Sequence, residues 1–151
     1  MNEKILIIDP EPHIRQSLKA ILTKKGYQVR SASDGNEAIS VFRSESFALV
    51  ITELRVPKLD GLKLIRRFKK LDEDVEIVVL TGSATIDNAV QALGHDGAFD
   101  FLLKPLGNAG QLFMSVKQAL QKHRLRKDNK KFMAGLKQAN EELKCRAEKA
   151  Y

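Results

Sequence analysis

The sequence predicts a doubly wound α/β fold, in which helices cover both faces of a five-stranded parallel sheet. Short apolar runs rich in β-branched residues alternate with segments whose apolar residues fall at helical spacing. Short loops join these segments, so each strand is reached from the previous one through a helical crossover, as parallel strands require. The 151 residues, 43% of them hydrophobic, suffice for one domain with a substantial core.

The first two strand–helix units lie near the start of the chain. Residues 4–9 form a nearly continuous apolar run that ends on an acid, which is typical of a strand buried on both faces of a parallel sheet. Pro12 opens a segment of helical spacing, and Gly26 provides its C-terminal stop. An alternating strand at 27–32 follows, and Asp34 begins the second helix. The pattern of strand and helix therefore repeats.

Three further units complete the predicted sheet. Their strands are expected at residues 47–52, 75–80 and 98–103. The third helix begins at Asp60. Its predicted core positions are Leu64, Ile65, Phe68 and Leu71. The predicted core face of the fourth helix is formed by Ile86, Ala89, Val90 and Leu93.

Polar residues at the strand ends mark the place where function is expected. In a doubly wound sheet, ligands bind outside the carboxyl ends of the strands, where the winding direction reverses. The residues at the ends of strands one, three, four and five are Asp9, Glu53, Thr81 and Lys104. Two acids, a hydroxyl and an ammonium are thus predicted to converge on one rim. A lysine at the end of a buried strand is costly unless paired, so Lys104 is expected to form an ion pair with one of the acids.

Several separate motifs occur in an order that points to a family. They are ILIIDPEP, LVITELRVPKLDG, VVLTG and GAFDFLLKP. With these motifs, residues from about 3 to 121 resemble the receiver domains of two-component response regulators. The resemblance implies a flavodoxin-like strand order, 2-1-3-4-5, and a role in phosphorelay signal transduction as a protein-binding module that is not an enzyme. It also implies a histidine kinase or other signalling protein as a candidate partner.

The resemblance further assigns candidate site residues. Glu53 occupies the position of the phosphoaccepting aspartate, while Asp9 and Glu11 belong to the acidic pocket that holds Mg²⁺ in the family. The positions that contact the phosphoryl group or switch conformation correspond to Thr81, Phe101, Lys104 and Pro105. By the same resemblance, the bond before Pro105 is a candidate cis peptide. Ordinary roles stay open for Phe101, as a strand aromatic, and for Glu11, as an acid at a helix N-terminus.

Two positions depart from the family pattern. Pro10 stands where the family has a direct Mg²⁺ ligand, and proline offers no side-chain oxygen. Glu53 carries its carboxylate one methylene, roughly 1.5 Å, further from the backbone than aspartate does. A misplacement of about 1 Å can cost on the order of a hundredfold in rate. We therefore expect weak or absent phosphorylation, no required cofactor, and at most a weak Mg²⁺ site at Asp9 and Glu53.

The sequence allows two interpretations of the negative charge of Glu53. As a fixed negative charge facing Lys104 and Thr81, it holds the domain in or near an activated arrangement without phosphorylation. Alternatively, it fills a retired pocket in which its charge is satisfied by Lys104 and biases nothing. A conventional phosphoaccepting receiver of a transcriptional regulator is the alternative function.

The rest of the chain predicts one long helix. From Gly110 onward only Gly135 interrupts the helical composition, so a helix of about 40 residues is expected. The receiver is assigned to residues 1–121, and residues 122–151 continue its fifth helix as a coiled coil or linker. Six residues, which we call the seam, step by four and three as in a coiled coil: Leu125, Asn129, Phe132, Leu136, Ala139 and Leu143. The seam predicts a parallel homodimer, with a solvated linker as the alternative.

The charge distribution adds a rival function. The net charge is +7, and the whole excess lies in residues 117–151, with 11 basic and 4 acidic residues. The basic run 122–131 suggests a nucleic-acid-binding dimer, but it lacks interleaved aromatic residues, so nucleic acid is a disfavoured partner. The single cysteine, Cys145, excludes an internal disulfide, and no apolar run has the length of a membrane span or the build of a signal peptide. A cytoplasmic location without membrane contact is expected.

Overall fold

The structure is a computed structural model that describes residues 3–82, 85–94, 96–104 and 109–149. The strands in these ranges are β1 (Lys4–Ile8), β2 (Gln28–Ala32), β3 (Leu49–Thr52), β4 (Glu76–Thr81) and β5 (Asp100–Leu103). The helices are α1 (Pro12–Lys24), α2 (Gly35–Ser44), α3 (Gly61–Leu71), α4 (Ile86–Gly94) and α5 (Ala109–Lys149). All strand pairs are parallel and the sheet order is β2-β1-β3-β4-β5. The predicted fold and strand order are confirmed.

The sheet separates two hydrophobic clusters. Alternate residues of a buried strand point to opposite faces, so β1 places Leu6 and Ile8 in one cluster and Ile5 and Ile7 in the other. Helices α2, α3 and α4 cover the first cluster, and α1 and α5 cover the second. The residues of α5 that pack on the sheet are Leu112, Val116, Ala119 and Leu120. The start of α5 is therefore part of the receiver core.

Side-chain caps fix the predicted starts of two helices. The Asp34 side chain accepts a hydrogen bond from the Glu37 N–H at 2.8 Å, and Glu37 Oε2 accepts the Ser33 N–H at 3.2 Å. The Glu37 side chain returns to the residue before the N-cap, so the arrangement is a variant of the capping box. Asp60 Oδ1 accepts the Leu62 N–H at 2.8 Å at the start of α3. Each cap satisfies a free N–H group of the first helical turn and places the loop that precedes its helix.

The prediction of a buried position is wrong for three residues. Leu71, the last residue of α3, is 39% exposed. In α4, Val90 and Leu93 are exposed, whereas Ala92 is fully buried. Helical spacing indicates an apolar stripe but does not fix which side faces the sheet. In α4 the small side chain of Ala92 faces the core, and Val90 and Leu93 face outward. The side chain of Ile86, also predicted to face the core, lies outside the described part of the structure.

Gly61 allows the first turn of α3 to lie against the segment that follows β3. A Cβ at this position would lie 2.4 Å from the backbone oxygen of Leu54. We expect Gly61→Ala to destabilise the protein by about 1–3 kcal/mol, because the Leu54 backbone must shift. The matched control is Gly135→Ala in α5, where nothing lies within 4 Å and alanine is favoured by about 1 kcal/mol. Urea unfolding measures both effects, and a Gly61→Ala variant as stable as wild type would contradict the prediction.

The long helix predicted for the C-terminal part is present as α5, which contains 41 residues. At 1.5 Å per residue it extends for roughly 60 Å. Most of its side chains after His123 are exposed, including the seam residues Leu125, Phe132, Leu136 and Leu143. None of the helices in the described part of the chain combines the length and apolar composition needed to cross a membrane.

Candidate functional site

The carboxyl ends of β1, β3, β4 and β5 meet at one rim, where they form the candidate site. The Lys104 ammonium lies between two carboxylates, with Nζ 2.5 Å from Asp9 Oδ2 and 2.8 Å from Glu53 Oε2. On the other side of Glu53, the Thr81 hydroxyl donates a hydrogen bond to Oε1. The structure therefore brings together the four residues that end these strands.

Backbone pairing places these residues. The Glu53 N–H donates to the Ile8 carbonyl at 2.9 Å, which sets Glu53 beside Asp9. The Lys104 N–H donates to the Thr81 carbonyl at 2.9 Å. Both bonds extend the ladder of neighbouring parallel strands by one residue. Because the strands are held by the core, the rim is positioned by the same packing that forms the fold.

Every carboxylate oxygen of the site has a partner. Glu53 Oε1 accepts the Leu54 N–H at 2.9 Å in addition to the threonine hydroxyl. Asp9 Oδ1 accepts the Glu11 N–H at 2.9 Å. The two remaining oxygens, one from each acid, face the lysine. Asp9 and Glu53 are only 2% and 7% exposed, so these contacts offset the cost of burying two charges.

The charges of the site stabilise one another. Burial by itself raises the pKa of Glu53, but hydrogen bonds from Lys104 and Thr81 outweigh it and leave this pKa below its ordinary value of 4.5. For Lys104 the signs are reversed. Burial lowers its pKa, but the carboxylates of Asp9 and Glu53 outweigh this effect and leave the pKa above its ordinary value of 10.5. Glu53 and Lys104 are therefore both charged at neutral pH.

Acidification is expected to remove the contribution of Glu53 to stability. A carboxyl group whose pKa is lowered by folding contributes fully above its ordinary value of 4.5, and the contribution is lost as the pH falls through the folded pKa. We expect the difference in unfolding free energy between wild type and Glu53→Gln to be constant from about pH 7 to 5 and to shrink below about 4.5. Urea unfolding as a function of pH measures it. A difference that is independent of pH would contradict the prediction.

The residues present do not fit a Mg²⁺ ion. Mg²⁺ requires oxygen ligands in a near-octahedral arrangement. The oxygens of Asp9 and Glu53 are engaged by the lysine and by N–H and hydroxyl donors. Pro10 offers no side-chain oxygen, and the Glu11 side chain is exposed, with Oε2 3.5 Å from His13 Nε2. Among the described residues, no group of three or more His, Cys, Asp or Glu side chains could hold a metal. The site is an ion-pair network of the protein's own groups.

Other predicted site residues lie apart from this network. Glu11, before α1, contributes its backbone N–H but not its side chain. Phe101 in β5 is partly buried and packs against the cluster under α2, α3 and α4. Pro105 and the predicted cis peptide lie outside the described residues. The prediction missed Arg15, whose Nη1 donates to the Asp9 carbonyl at 2.6 Å. The sequence carries no signal for this contact, because it is made to a backbone carbonyl and depends on the path of α1 away from the rim.

Comparison with known proteins identifies relatives. A family model described as response regulator receiver domain matches residues 5–117. The chain is 33% identical over 139 residues to the C4-dicarboxylate transport transcriptional regulatory protein DctD of Rhizobium meliloti, covering 92% of this chain and 30% of that protein. It is 33% identical over 105 residues to sporulation initiation phosphotransferase F of Bacillus subtilis, covering 70% of this chain and 84% of that protein. The chain thus spans less than a third of the length of DctD.

Solved structures agree with the sequence comparison. A response regulator receiver domain protein from Clostridium thermocellum superposes with a TM-score of 0.76 at 35% identity, covering 82% of this chain and 98% of that one. The response regulator TrrA from Thermotoga maritima, solved in complex with Mg²⁺-BeF, superposes with a TM-score of 0.70 at 30% identity, covering 78% and 98%. The family match, the sheet order and the rim of two acids, a hydroxyl and a lysine lead to one conclusion. The chain belongs to the response regulator receiver domain family.

Proposed function

We propose that this receiver domain acts in two-component signalling without phosphorylation, with Glu53 as a fixed negative charge in place of a phosphoryl group. The observation that carries the proposal is the simultaneous contact of Glu53 with Thr81 and Lys104. By the resemblance to the family, these are the groups that engage the phosphoryl oxygens. The carboxylate thus draws the hydroxyl and the ammonium together without a phosphate.

The charge interaction is large enough to bias a conformational equilibrium. Two unit charges about 4 Å apart interact by roughly 4 kcal/mol at an effective dielectric constant near 20. Moving a two-state equilibrium from 1:99 to 99:1 takes about 5.5 kcal/mol of differential stabilisation. A carboxylate also lacks part of the charge and one oxygen of a phosphoryl group. We therefore propose partial rather than complete activation.

Glu53→Gln separates a fixed-charge role from a retired pocket. Glutamine keeps the shape of the side chain but removes its charge. If the charge biases the domain, we expect amide chemical shifts to change along β4 and β5, beyond the residues that touch Glu53, in NMR spectra of labelled protein. Changes confined to immediate neighbours would support a retired pocket, because Lys104 remains paired with Asp9. The control is Glu11→Gln, which removes an exposed acid outside the network and should leave both strands unchanged.

The proposed partner is a second copy of the chain, bound in parallel through the seam. The large apolar seam residues Leu125, Phe132, Leu136 and Leu143 are all exposed along one side of α5. In proteins most of the stability of a helix comes from packing of its apolar face, and a mutual a/d contact would bury these residues in both copies. A histidine kinase or other signalling protein is proposed as the regulatory partner.

Removing seam side chains should dissociate the proposed dimer. Phe132→Ala with Leu136→Ala is expected to weaken self-association by about 100-fold or more, because each buried apolar side chain contributes about 1.5–3 kcal/mol. The control is Met133→Ala, which removes an exposed apolar residue next to the seam. Sedimentation equilibrium over a range of concentrations measures the change. Equal association constants for wild type and the double variant would contradict the seam dimer.

A conventional phosphoaccepting receiver of a transcriptional regulator is the second candidate function. DctD is a transcriptional regulatory protein by name, and its match covers 92% of this chain, so it extends into the long helix. In this candidate, Glu53 accepts a phosphoryl group and α5 leads to a further domain of a longer protein. Phosphorylation of the wild-type chain separates the two candidates. A stable gain of one phosphate from a phosphodonor supports the conventional receiver, and an unchanged mass supports a receiver that acts without phosphorylation.

A further inference from the structure

Glu76, the first residue of β4, is a fully buried carboxylate at the opposite end of the strand from Thr81. Two cations of α5 face it, with Arg126 Nη1 3.3 Å from Oε1 and Lys122 Nζ 3.9 Å from Oε2. Neither oxygen accepts a hydrogen bond within the described part of the chain. A buried carboxylate without hydrogen bonds is tolerated only while its counter-charges stay in place. Glu76 therefore favours a docked position of α5.

The loop before β4 binds the next turn of the same helix. Lys130 Nζ lies 2.6 Å from Glu73 Oε1 and 2.8 Å from Asp74 Oδ2. Arg126 Nη1 also donates a hydrogen bond to the Glu73 carbonyl at 3.0 Å. The backbone and both side chains of this loop thus face residues 122–130 of α5.

Contacts with the start of the chain and with the loop before β5 complete the docked face. Arg124 donates a hydrogen bond to Glu3, which precedes β1. Lys122 Nζ lies 5.5 Å from the ring centroid of Phe99. His123 is only 9% exposed. Burial and the nearby Lys127 lower its pKa, so the imidazole is uncharged at neutral pH. The basic segment therefore meets acids from separate parts of the sequence.

We propose that Glu3, Glu73, Asp74 and Glu76 form an ionic lock that binds residues 122–130 and makes this segment part of the folded receiver. The occupant is the chain's own helix rather than a nucleic acid, because four of the six Lys and Arg residues in the basic run 122–131 are already paired with acids of the receiver. These cations are Lys122, Arg124, Arg126 and Lys130. The folded unit thus extends past residue 121, where the helical pattern alone placed its end.

The lock also sets the direction in which the seam faces. Successive residues of an α-helix are rotated by about 100°, so Leu125 and Phe132 lie roughly 100° to 180° around α5 from His123 and Arg126. Leu125 and Phe132 are 69% and 65% exposed. A second copy can therefore bind the seam while the lock stays closed. Each receiver would then lie on the side of its α5 that faces away from the partner helix. This arrangement of two receivers rests on the proposed dimer, whereas the lock itself does not.

Amide hydrogen exchange of the full chain tests the lock. Arg126→Gln, which changes only the helix side, should speed exchange of residues 122–130 by about tenfold or more and leave β1 unchanged. Glu76→Gln should produce the same local change from the sheet side, and the double variant should add little to either single change. The control is Lys131→Gln, since Lys131 belongs to the same basic run but forms no ion pair with any described residue. It should leave the exchange unchanged.

Two outcomes would overturn the lock. The first is unchanged exchange of residues 122–130 in both Arg126→Gln and Glu76→Gln. Arg126→Gln keeps this outcome decisive even if Glu76→Gln disturbs the sheet. The second is loss of the protection in the Phe132→Ala and Leu136→Ala variant, because protection that depends on the seam belongs to the dimer. Persistent protection in that variant supports the lock whether or not the chain dimerises.

Discussion

A chain carrying both Pro10→Asp and Glu53→Asp is expected to take a phosphoryl group from a small phosphodonor in a Mg²⁺-dependent reaction. The first change supplies a carboxylate where proline offers no side-chain oxygen, and Mg²⁺ prefers carboxylate ligands. The second withdraws the acid from the Lys104 and Thr81 contacts by roughly 1.5 Å and restores the length of an aspartate. The ammonium and the hydroxyl then become available to an incoming phosphoryl group. Intact mass spectrometry detects one added phosphate, and calorimetry detects Mg²⁺ binding.

The single variants show whether both changes act on the same chemistry. Pro10→Asp alone should improve Mg²⁺ binding while the acceptor stays misplaced. Glu53→Asp alone should restore the acceptor without the metal ligand. Each is expected to be phosphorylated at least about tenfold more slowly than the double variant, because a 1 Å misplacement or the loss of a charge-stabilising group costs on the order of a hundredfold in rate. A double variant that neither binds Mg²⁺ nor gains a phosphate would show that other residues inactivate the pocket.

Lys104→Met is expected to destabilise the protein by about 3 kcal/mol, the lower end of the cost of breaking a buried ion pair. Lys104 contacts both Asp9 and Glu53, so its removal leaves two buried carboxylates close together without a counter-charge. Adding Glu53→Gln should restore part of the loss, because one of the two charges is then removed. Urea unfolding gives the free energies, provided that the slope with denaturant stays constant.

A matched exposed pair calibrates this effect. Lys58 lies 3.4 Å from Asp34 and its side chain is 61% exposed. Water and salt screen exposed pairs, so Lys58→Met should have a much smaller effect than Lys104→Met. If Lys104→Met costs no more than Lys58→Met, the rim network is not a source of stability. The fixed-charge proposal for Glu53 would then lose its energetic basis.

The sheet and the rim could be predicted because both follow from local patterns and chain topology. Buried strands appear as apolar runs, and crossover helices make the strands parallel. Once the strands are parallel, their carboxyl ends share one edge, so Glu53 and Lys104 meet although they are 51 residues apart in sequence. The contact of Arg15 with the Asp9 carbonyl could not be predicted, since it depends on how α1 leaves the rim.

The lock could not be predicted from the sequence because charge composition does not reveal which groups face one another. Glu76 begins an otherwise apolar strand, and its partners Lys122 and Arg126 lie in a run that also fits a solvated helix face. Only the packing of α5 on the sheet brings them together. Val90 and Leu93 illustrate the same limit, since their helical spacing was recognised but the side of α4 that faces the core was not.

The most direct test of the central claim is the intact mass of the wild-type chain after exposure to acetyl phosphate with Mg²⁺. The Pro10→Asp and Glu53→Asp variant, which is expected to be phosphorylated, serves as the positive control. We predict that the wild-type mass stays unchanged, because Glu53 is committed to Lys104 and Thr81 and the rim does not fit a Mg²⁺ ion. A stable gain of one phosphate on Glu53 would contradict a receiver that works without phosphorylation.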